Sequence, residues 1–219
     1  MDIALERRDA VAIIHWRDGE NRINTDSMGR LLEIVAALKE AEGPLAVVLT
    51  GDGKFFSNGL DLARFATDDG EFTRTVKMLD RFFADLLDFP GYVVGALNGH
   101  AFAGGAMISS VFDYRVMRED RGYWCLNEAE LGLPLTPSMF KVVTARLPHG
   151  VALEAANTAR RFSATEALAA GLVHDIAPEN DVLARAVAKA AEVATKDRKV
   201  VATHKRLAFG ELADWLRGH

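Results

Sequence analysis

Cysteine is nearly absent from this chain: its 219 residues include one, Cys125, which excludes an intrachain disulfide and fits a reducing compartment. An excess of basic charge is also missing. Lys and Arg together number 26 against 31 Asp and Glu, and the formal net charge is −5. The basic residues are scattered, whereas nucleic-acid binding needs a concentrated basic surface to displace counterions; no nucleic-acid partner is expected. No stretch approaches the roughly 18 apolar residues of a membrane span, so no membrane partner is expected either. The opening Met1-Asp2-Ile3-Ala4-Leu5-Glu6 lacks the basic start and apolar run of a secretory signal, and Leu216-Arg217-Gly218-His219 is not a Ser-Lys-Leu type address. A cytoplasmic location is the expectation. The histidines at 15, 100, 149, 174, 204 and 219 show no metal-ligand spacing, so no metal is expected.

What is present is an ordinary globular balance, 49% hydrophobic and 26% charged residues, enough to bury a core without staples. Residues 3–6 and 11–16 read as a β-hairpin. After Asn24-Thr25-Asp26 the apolar positions Met28, Leu31, Leu32, Val35 and Leu38 recur at intervals of mostly three and four, which predicts a capped amphipathic helix. Leu45–Thr50 reads as a buried strand, stopped by Gly51-Asp52-Gly53, with a loop through Phe55, Phe56, Ser57 and Asn58 leading to Gly59. Residues 71–88 read as a second long helix. Tyr92–Leu97 is a strand, Asn98-Gly99 a turn, and Ala103-Gly104-Gly105-Ala106 the start of a buried helix. A strand pair is expected at 113–117 and 122–126, and beyond Thr136 the chain reads as mainly helical, interrupted at Gly171–Ile176. The alternation predicts an α/β fold, one structural unit with a core over residues 1–135 and a helical region over 136–219.

Two glycine turns, Ser57-Asn58-Gly59-Leu60-Asp61 and Ala103-Gly104-Gly105-Ala106, can bring backbone N–H groups close to a ligand. If Gly104 opens a helix, its N–H is an unsatisfied donor at the positive end of the dipole, suited to a developing anion. Taken singly, each turn is more often a plain strand-to-helix connection.

The combined pattern is more specific. Phe56-Ser57-Asn58-Gly59-Leu60-Asp61-Leu62, Asn98-Gly99-His100-Ala101-Phe102-Ala103-Gly104-Gly105, Asn127-Glu128-Ala129-Glu130-Leu131-Gly132-Leu133 and Arg161–Val173 resemble, in order, four segments of the crotonase (enoyl-CoA hydratase/isomerase) family. The resemblance implies a crotonase-type ββα spiral with a helical C-terminal trimerisation part. It implies a homotrimer or hexamer and an acyl-CoA thioester as partner, with coenzyme A part of the substrate and no separate cofactor. The thioester oxygen would be held by the backbone N–H groups of Leu60 and Gly104, with Ser57, Asn58, Gly59, Gly105 and Met107 lining the substrate path.

Within the resemblance, Glu128 falls on the family's second carboxylate position, while Met107 occupies the first. Hydration is helped by two carboxylates; moving a double bond from position 3 to position 2 needs one base that takes a proton from carbon 2 and returns it at carbon 4. The expectation is therefore an enoyl-CoA isomerase with Glu128 as base and acid, its pKa raised by Leu126, Leu131 and Leu133. The alternatives are another crotonase-family enzyme (hydratase, thioesterase or decarboxylase) and a non-catalytic acyl-CoA-binding subunit. Glu130 competes with Glu128, because on an extended segment residues two apart face the same way.

Other residues invite plainer readings. Asp61 reads as a helix N-cap, Cys125 as a small buried side chain, and His100 as a surface or supporting residue more than a substrate contact. Leu79, Phe82, Phe83, Leu86 and Leu87 suit either an acyl tunnel or core packing. Tyr92 stands where many family members have proline, and the chain is shorter at its C-terminus than many of them.

Overall fold

The computed structural model describes residues 2–218. Strands β1 (Ile3–Arg8) and β2 (Val11–Trp16) form the expected antiparallel hairpin, with Asp9 at φ 52 in its turn. Helix α1 (Thr25–Glu40) starts where Asn24 accepts from the Ser27 N–H and Ser27 answers on the Asn24 N–H, a reciprocal cap. Strand β3 (Ala46–Thr50) follows, then β4 (Phe55–Ser57), the one-turn α2 (Leu62–Phe65) and α3 (Glu71–Leu87). Next come β5 (Tyr92–Leu97), β6 (His100–Phe102), α4 (Gly104–Ser110), β7 (Tyr114–Arg118), β8 (Trp124–Cys125) and the one-turn α5 (Glu128–Leu131). The remainder is α6 (Pro137–Arg146), α7 (His149–Thr158), α8 (Ala164–Ala169), β9 (Asp175–Ala177), α9 (Glu179–Ala194) and α10 (Arg198–Arg217).

From β3 onward the strands alternate between two sheets. The larger has the order β1-β2-β3-β5-β7-β9, parallel except for the first hairpin, and the smaller has the order β4-β6-β8. Each turn of the chain contributes one strand to each sheet and then a helix, which is a ββα spiral. Two expectations change here. Residues 55–57, read as loop, are a strand, and 113–117 and 122–126 do not pair with each other but fall in different sheets. Strands of two or three residues carry too little alternation to be seen in sequence.

Period-two alternation divides the large sheet between two cores. Val11, Ile13, Ala46, Val48, Val94 and Ala96 face α9, whose Val182, Ala186, Ala190 and Ala194 present small side chains every fourth residue and let the helix lie close. Ala12, Ile14, Val47, Leu49, Val93 and Leu97 face the main core with α1 and α3. Leu79, Phe82, Phe83, Leu86 and Leu87 are buried there, as core packing. Each such large apolar side chain contributes roughly 1.5–3 kcal/mol by leaving water.

The mainly helical region after residue 135 is joined to the core through sheet and helix contacts. β9 completes the large sheet, and Phe162 bridges to Trp124 through paired 2.9 Å backbone hydrogen bonds. α10 is tied to the sheet by Lys205, whose buried ammonium donates to Asp113 Oδ2 at 2.7 Å, an oxygen that also accepts from the Val93 N–H at 2.8 Å. Arg146 donates to the other oxygen at 3.0 Å.

Candidate active site at the ends of three parallel strands

The small sheet is what gathers the candidate residues. Its strands are parallel, so their carboxyl ends share one edge, and the register pairs Ser57 with Ala101 and Phe102 with Cys125. Leu60, Gly104 and Glu128 each lie three residues beyond Ser57, Ala101 and Cys125. Neighbouring strands are about 4.8 Å apart, which places the Gly104 turn between the other two. Ligands of open α/β sheets bind outside such carboxyl ends.

The loop after β4 is held by residues 20–24. Asn58 N–H donates to Glu20 O (2.9 Å), Gly59 N–H to Ser57 Oγ (3.2 Å) and Asp61 N–H to Ile23 O (3.0 Å), while Gly59 O accepts from the Ile23 N–H (2.9 Å). In this stretch the Leu60 N–H alone has no acceptor, because the bridge to Ile23 uses the groups on either side of it. Gly59 sits at φ 75, and a Cβ there would lie 2.6 Å from Ala103 Cβ, so both backbone and neighbour require glycine.

The chain turns from β6 into α4 at Ala103, whose φ 49 and ψ −121 are rare for a residue with a Cβ and cost about 1–3 kcal/mol. The conformation is held by Ala103 N–H donating to Cys125 O (2.9 Å) and by Ala103 O accepting from Met107 N–H (3.0 Å). It leaves the Gly104 N–H at the helix start with no capping side chain. A Cβ on Gly104 would meet Ile23 Cδ1 at 2.6 Å and stand 3.8 Å from Leu60 N, so the two free N–H groups are neighbours.

Of the residues expected to line the substrate path, Asn58 is half-buried. Ser57, Gly59, Gly105 and Met107 are buried in the single chain. Ser57 Oγ is engaged, donating to Asn21 O at 2.7 Å, and Gly105 is packed so closely that a Cβ would lie 2.5 Å from Ser57 O. Ser57 and Gly105 are thus packed against each other beside the loop that carries Leu60.

Glu128 begins α5, and its Oε2 is buried with no hydrogen-bond partner, as is Oδ1 of the adjacent Asn127. Burial pushes the Glu128 carboxyl from 4.5 up to about 7. Leu126 is fully buried beside it, but Leu131 and Leu133 are 51% and 45% exposed, so they contribute less to that desolvation than expected. The segment is helical where it was read as extended, and residues two apart on a helix point in different directions. Glu130 accordingly faces out and pairs with Arg161 at 3.4 Å. A cavity of about 610 Å³ opens beside α5, lined by Glu128, Gly132, Leu133, Leu135, Phe140 and Ala156 among others.

The other candidates take structural places. Asp61 caps α2, accepting from Arg64 N–H at 3.2 Å. Cys125 is buried, donates to Ala159 O at 3.2 Å, and its thiol is pushed up to about 11 by burial, far from thiolate reactivity. His100 accepts at Nδ1 from Tyr123 N–H (3.2 Å) within a cluster of Phe55, Phe102 and Tyr123 rings. Among the described residues no group of three potential metal ligands occurs and no helix is long and apolar enough to cross a membrane. Sequence reasoning missed Asn21 and Arg22, which bond to the carbonyls of residues 55–60; separations of 34–38 residues leave no local signal.

Comparison with known proteins is consistent across sequence and structure. The sequence family described as enoyl-CoA hydratase/isomerase matches residues 6–212. Enoyl-CoA delta isomerase 3 of Arabidopsis thaliana is 32% identical over 95% of this chain and 92% of its own length. A putative enoyl-CoA hydratase of Thermus thermophilus is 37% identical over 84% of this chain and 74% of its own length. Among solved structures, an apo Mtb enoyl-CoA isomerase superposes with a TM-score of 0.89 at 26% identity, covering 99% of this chain and 94% of that one.

Proposed function

The chain belongs to the enoyl-CoA hydratase/isomerase family, and from that premise we propose that it moves a double bond from position 3 to position 2 of an enoyl-CoA thioester. The observation that carries this reading is Glu128: a carboxyl with a buried, unpartnered oxygen and a pKa of about 7, on the same sheet edge as the free N–H groups of Leu60 and Gly104. Met107, fully buried, stands at the first of the two carboxylate positions that the family resemblance implies, so Glu128 acts without a second acid there.

In the proposed reaction the Glu128 carboxylate removes a proton from carbon 2. The C–H electron pair forms a carbon 1–carbon 2 double bond, and the thioester C=O pair moves onto oxygen, where the Leu60 and Gly104 N–H groups receive the charge. Glu128, now protonated, delivers the proton to carbon 4 as the carbonyl re-forms and the double bond settles between carbons 2 and 3. A pKa near neutrality suits one group to both transfers. Each backbone donor is worth about 2.7–4 kcal/mol and a positioned base about 10²–10⁴-fold, together on the order of 10 kcal/mol, within the range of enzymatic acceleration.

The test follows conversion of 3-enoyl-CoA to 2-enoyl-CoA by the absorbance of the conjugated thioester, for the wild type and Glu128→Gln, with hydration of 2-enoyl-CoA in parallel. Isomerisation that falls at least about 100-fold in the variant supports the one-base mechanism. Hydration without isomerisation replaces the reading by the hydratase one, and thioester binding without either reaction by the non-catalytic one. The same reading extends to a homotrimer or hexamer in the cytoplasm. Light scattering checks the assembly against three or six times the 23.9 kDa chain mass.

A further inference from the structure

Three consecutive carbonyls around the Leu60 donor all face one short segment. Asn58 O accepts from Arg22 Nη1 at 3.1 Å, Gly59 O from the Ile23 N–H at 2.9 Å, and Leu60 O from Arg22 Nη1 at 3.3 Å. The opposite edge of the same guanidinium is held by Glu20, whose Oε2 lies 2.9 Å from Nε and 2.7 Å from Nη2 and also accepts from Asn58 Nδ2 at 3.1 Å. The guanidinium is thus fixed on one side and spent on two backbone oxygens on the other. Both atoms it holds flank the one N–H of the loop that has no acceptor.

We propose that Arg22 is a positioning residue for the oxyanion donor at Leu60, locking the peptides on either side of it so that the N–H, and not a carbonyl, faces the thioester oxygen. The inference rests on the isomerase reading of the same site. Gly59 at φ 75 makes the lock necessary, since glycine tolerates the dihedral changes of a peptide flip. A flip of the Gly59–Leu60 peptide would exchange a donor for an acceptor where negative charge develops. The Ile23 N–H bond resists that flip at one atom; Arg22 resists it from both neighbouring peptides. One nitrogen with two N–H vectors reaches two carbonyls while the rest of the fork is paired with Glu20, a division that a lysine ammonium on a flexible stem does not reproduce.

The experiment uses the full chain with Arg22→Met and Arg22→Lys. It measures kcat and KM for isomerisation, and affinity for acetoacetyl-CoA, whose enolate mimics the charged intermediate, against saturated butanoyl-CoA. Near-UV circular dichroism reports the fold. The wild type is expected to prefer the enolate by at least about tenfold, as enzymes prefer mimics of the transition state. In Arg22→Met, kcat should fall roughly 10- to 100-fold with KM changed less than about threefold, and the preference for the enolate should collapse while butanoyl-CoA still binds. Arg22→Lys should show most of the same loss. Full rescue by lysine overturns the proposal in favour of simple charge. Equal weakening of both ligands, with altered circular dichroism, overturns it in favour of a merely structural role, and an unchanged preference in both variants overturns it outright. A wild type that neither isomerises nor prefers the enolate removes the isomerase reading itself, with this inference along with it.

Discussion

Replacing Glu128 by Gln should make the fold more stable as it makes the enzyme inactive, and the gain should depend on pH. The folded protein holds this carboxyl at about 7 where an unfolded chain holds it near 4.5. Below pH 4.5 both states are protonated and the residue contributes nothing. As pH rises from 4.5 to 7 the unfolded chain loses its proton while the folded one keeps it, so ionisation favours unfolding by about 1.36 kcal/mol per pH unit, and above 7 the penalty levels off at about 3 kcal/mol. At pH 5 the penalty is about 1 kcal/mol. Glutamine removes the ionisation and keeps the shape, so the difference between variant and wild type should widen by about 2–3 kcal/mol from pH 5 to pH 8. For a chain of this size that is about 5–10 °C in melting temperature. The assay is thermal and urea unfolding of both proteins at pH 5, 6.5 and 8 with protomer concentration fixed, because assembly adds its own stabilisation. The amide left in a carboxyl's place shifts the whole difference by a constant; only its slope with pH carries the argument. A difference that stays flat from pH 5 to pH 8 would refute the buried, raised carboxyl.

The same carboxyl should appear in the kinetics: kcat/KM for isomerisation is expected to rise with pH and level off above an apparent pKa of about 7, since only the carboxylate takes the carbon-2 proton. A profile without an acid limb between pH 5 and 8 removes Glu128 as the base. Gly59→Ala forces a Cβ to within 2.6 Å of Ala103 Cβ at a φ of 75. It should cost at least about 1–3 kcal/mol of stability in urea unfolding and about 100-fold in kcat, and retained activity would deny Leu60 its place as donor. Lys205→Met leaves Asp113 short of one buried partner and should lower the unfolding free energy by about 3–5 kcal/mol; a loss under about 1 kcal/mol would show that Arg146 and the Val93 N–H suffice.

How far the sequence was legible depended on whether a signal was local. α1 could be read because Asn24, Ser27 and the spacing from Met28 to Leu38 lie within one stretch, and Asp61 because a cap acts three residues away. β4 and β6 could not be read as strands: they pair with each other across more than 40 residues, and three residues do not show alternation. The same limit misassigned 113–117 and 122–126 as a pair, since each is an acceptable strand and only the spiral decides which sheet receives it. At the site, the ordered motifs led to Leu60, Gly104 and Glu128, but the choice of Glu128 over Glu130 turned on whether residues 128–131 are extended or helical. The turn at Ala103 was placed correctly, though its strained backbone was invisible, because alanine gives no hint of a left-handed φ.

The ion pair that fastens α10 has a consequence for the order in which the protein is made. Lys205 follows Asp113 by 92 residues, so at a synthesis rate of about 5–20 residues per second the carboxylate waits on the order of 5–20 s for its partner to be translated. In the folded structure its other hydrogen-bond partners among the described residues, Arg146 and the Val93 N–H, precede Lys205 in the chain. Arg198 arrives later still for the carbonyls of Ala41 and Pro90, which it follows by 157 and 108 residues. The bonds that fasten α10 to the sheet can therefore form only after the residues of the candidate site have been made.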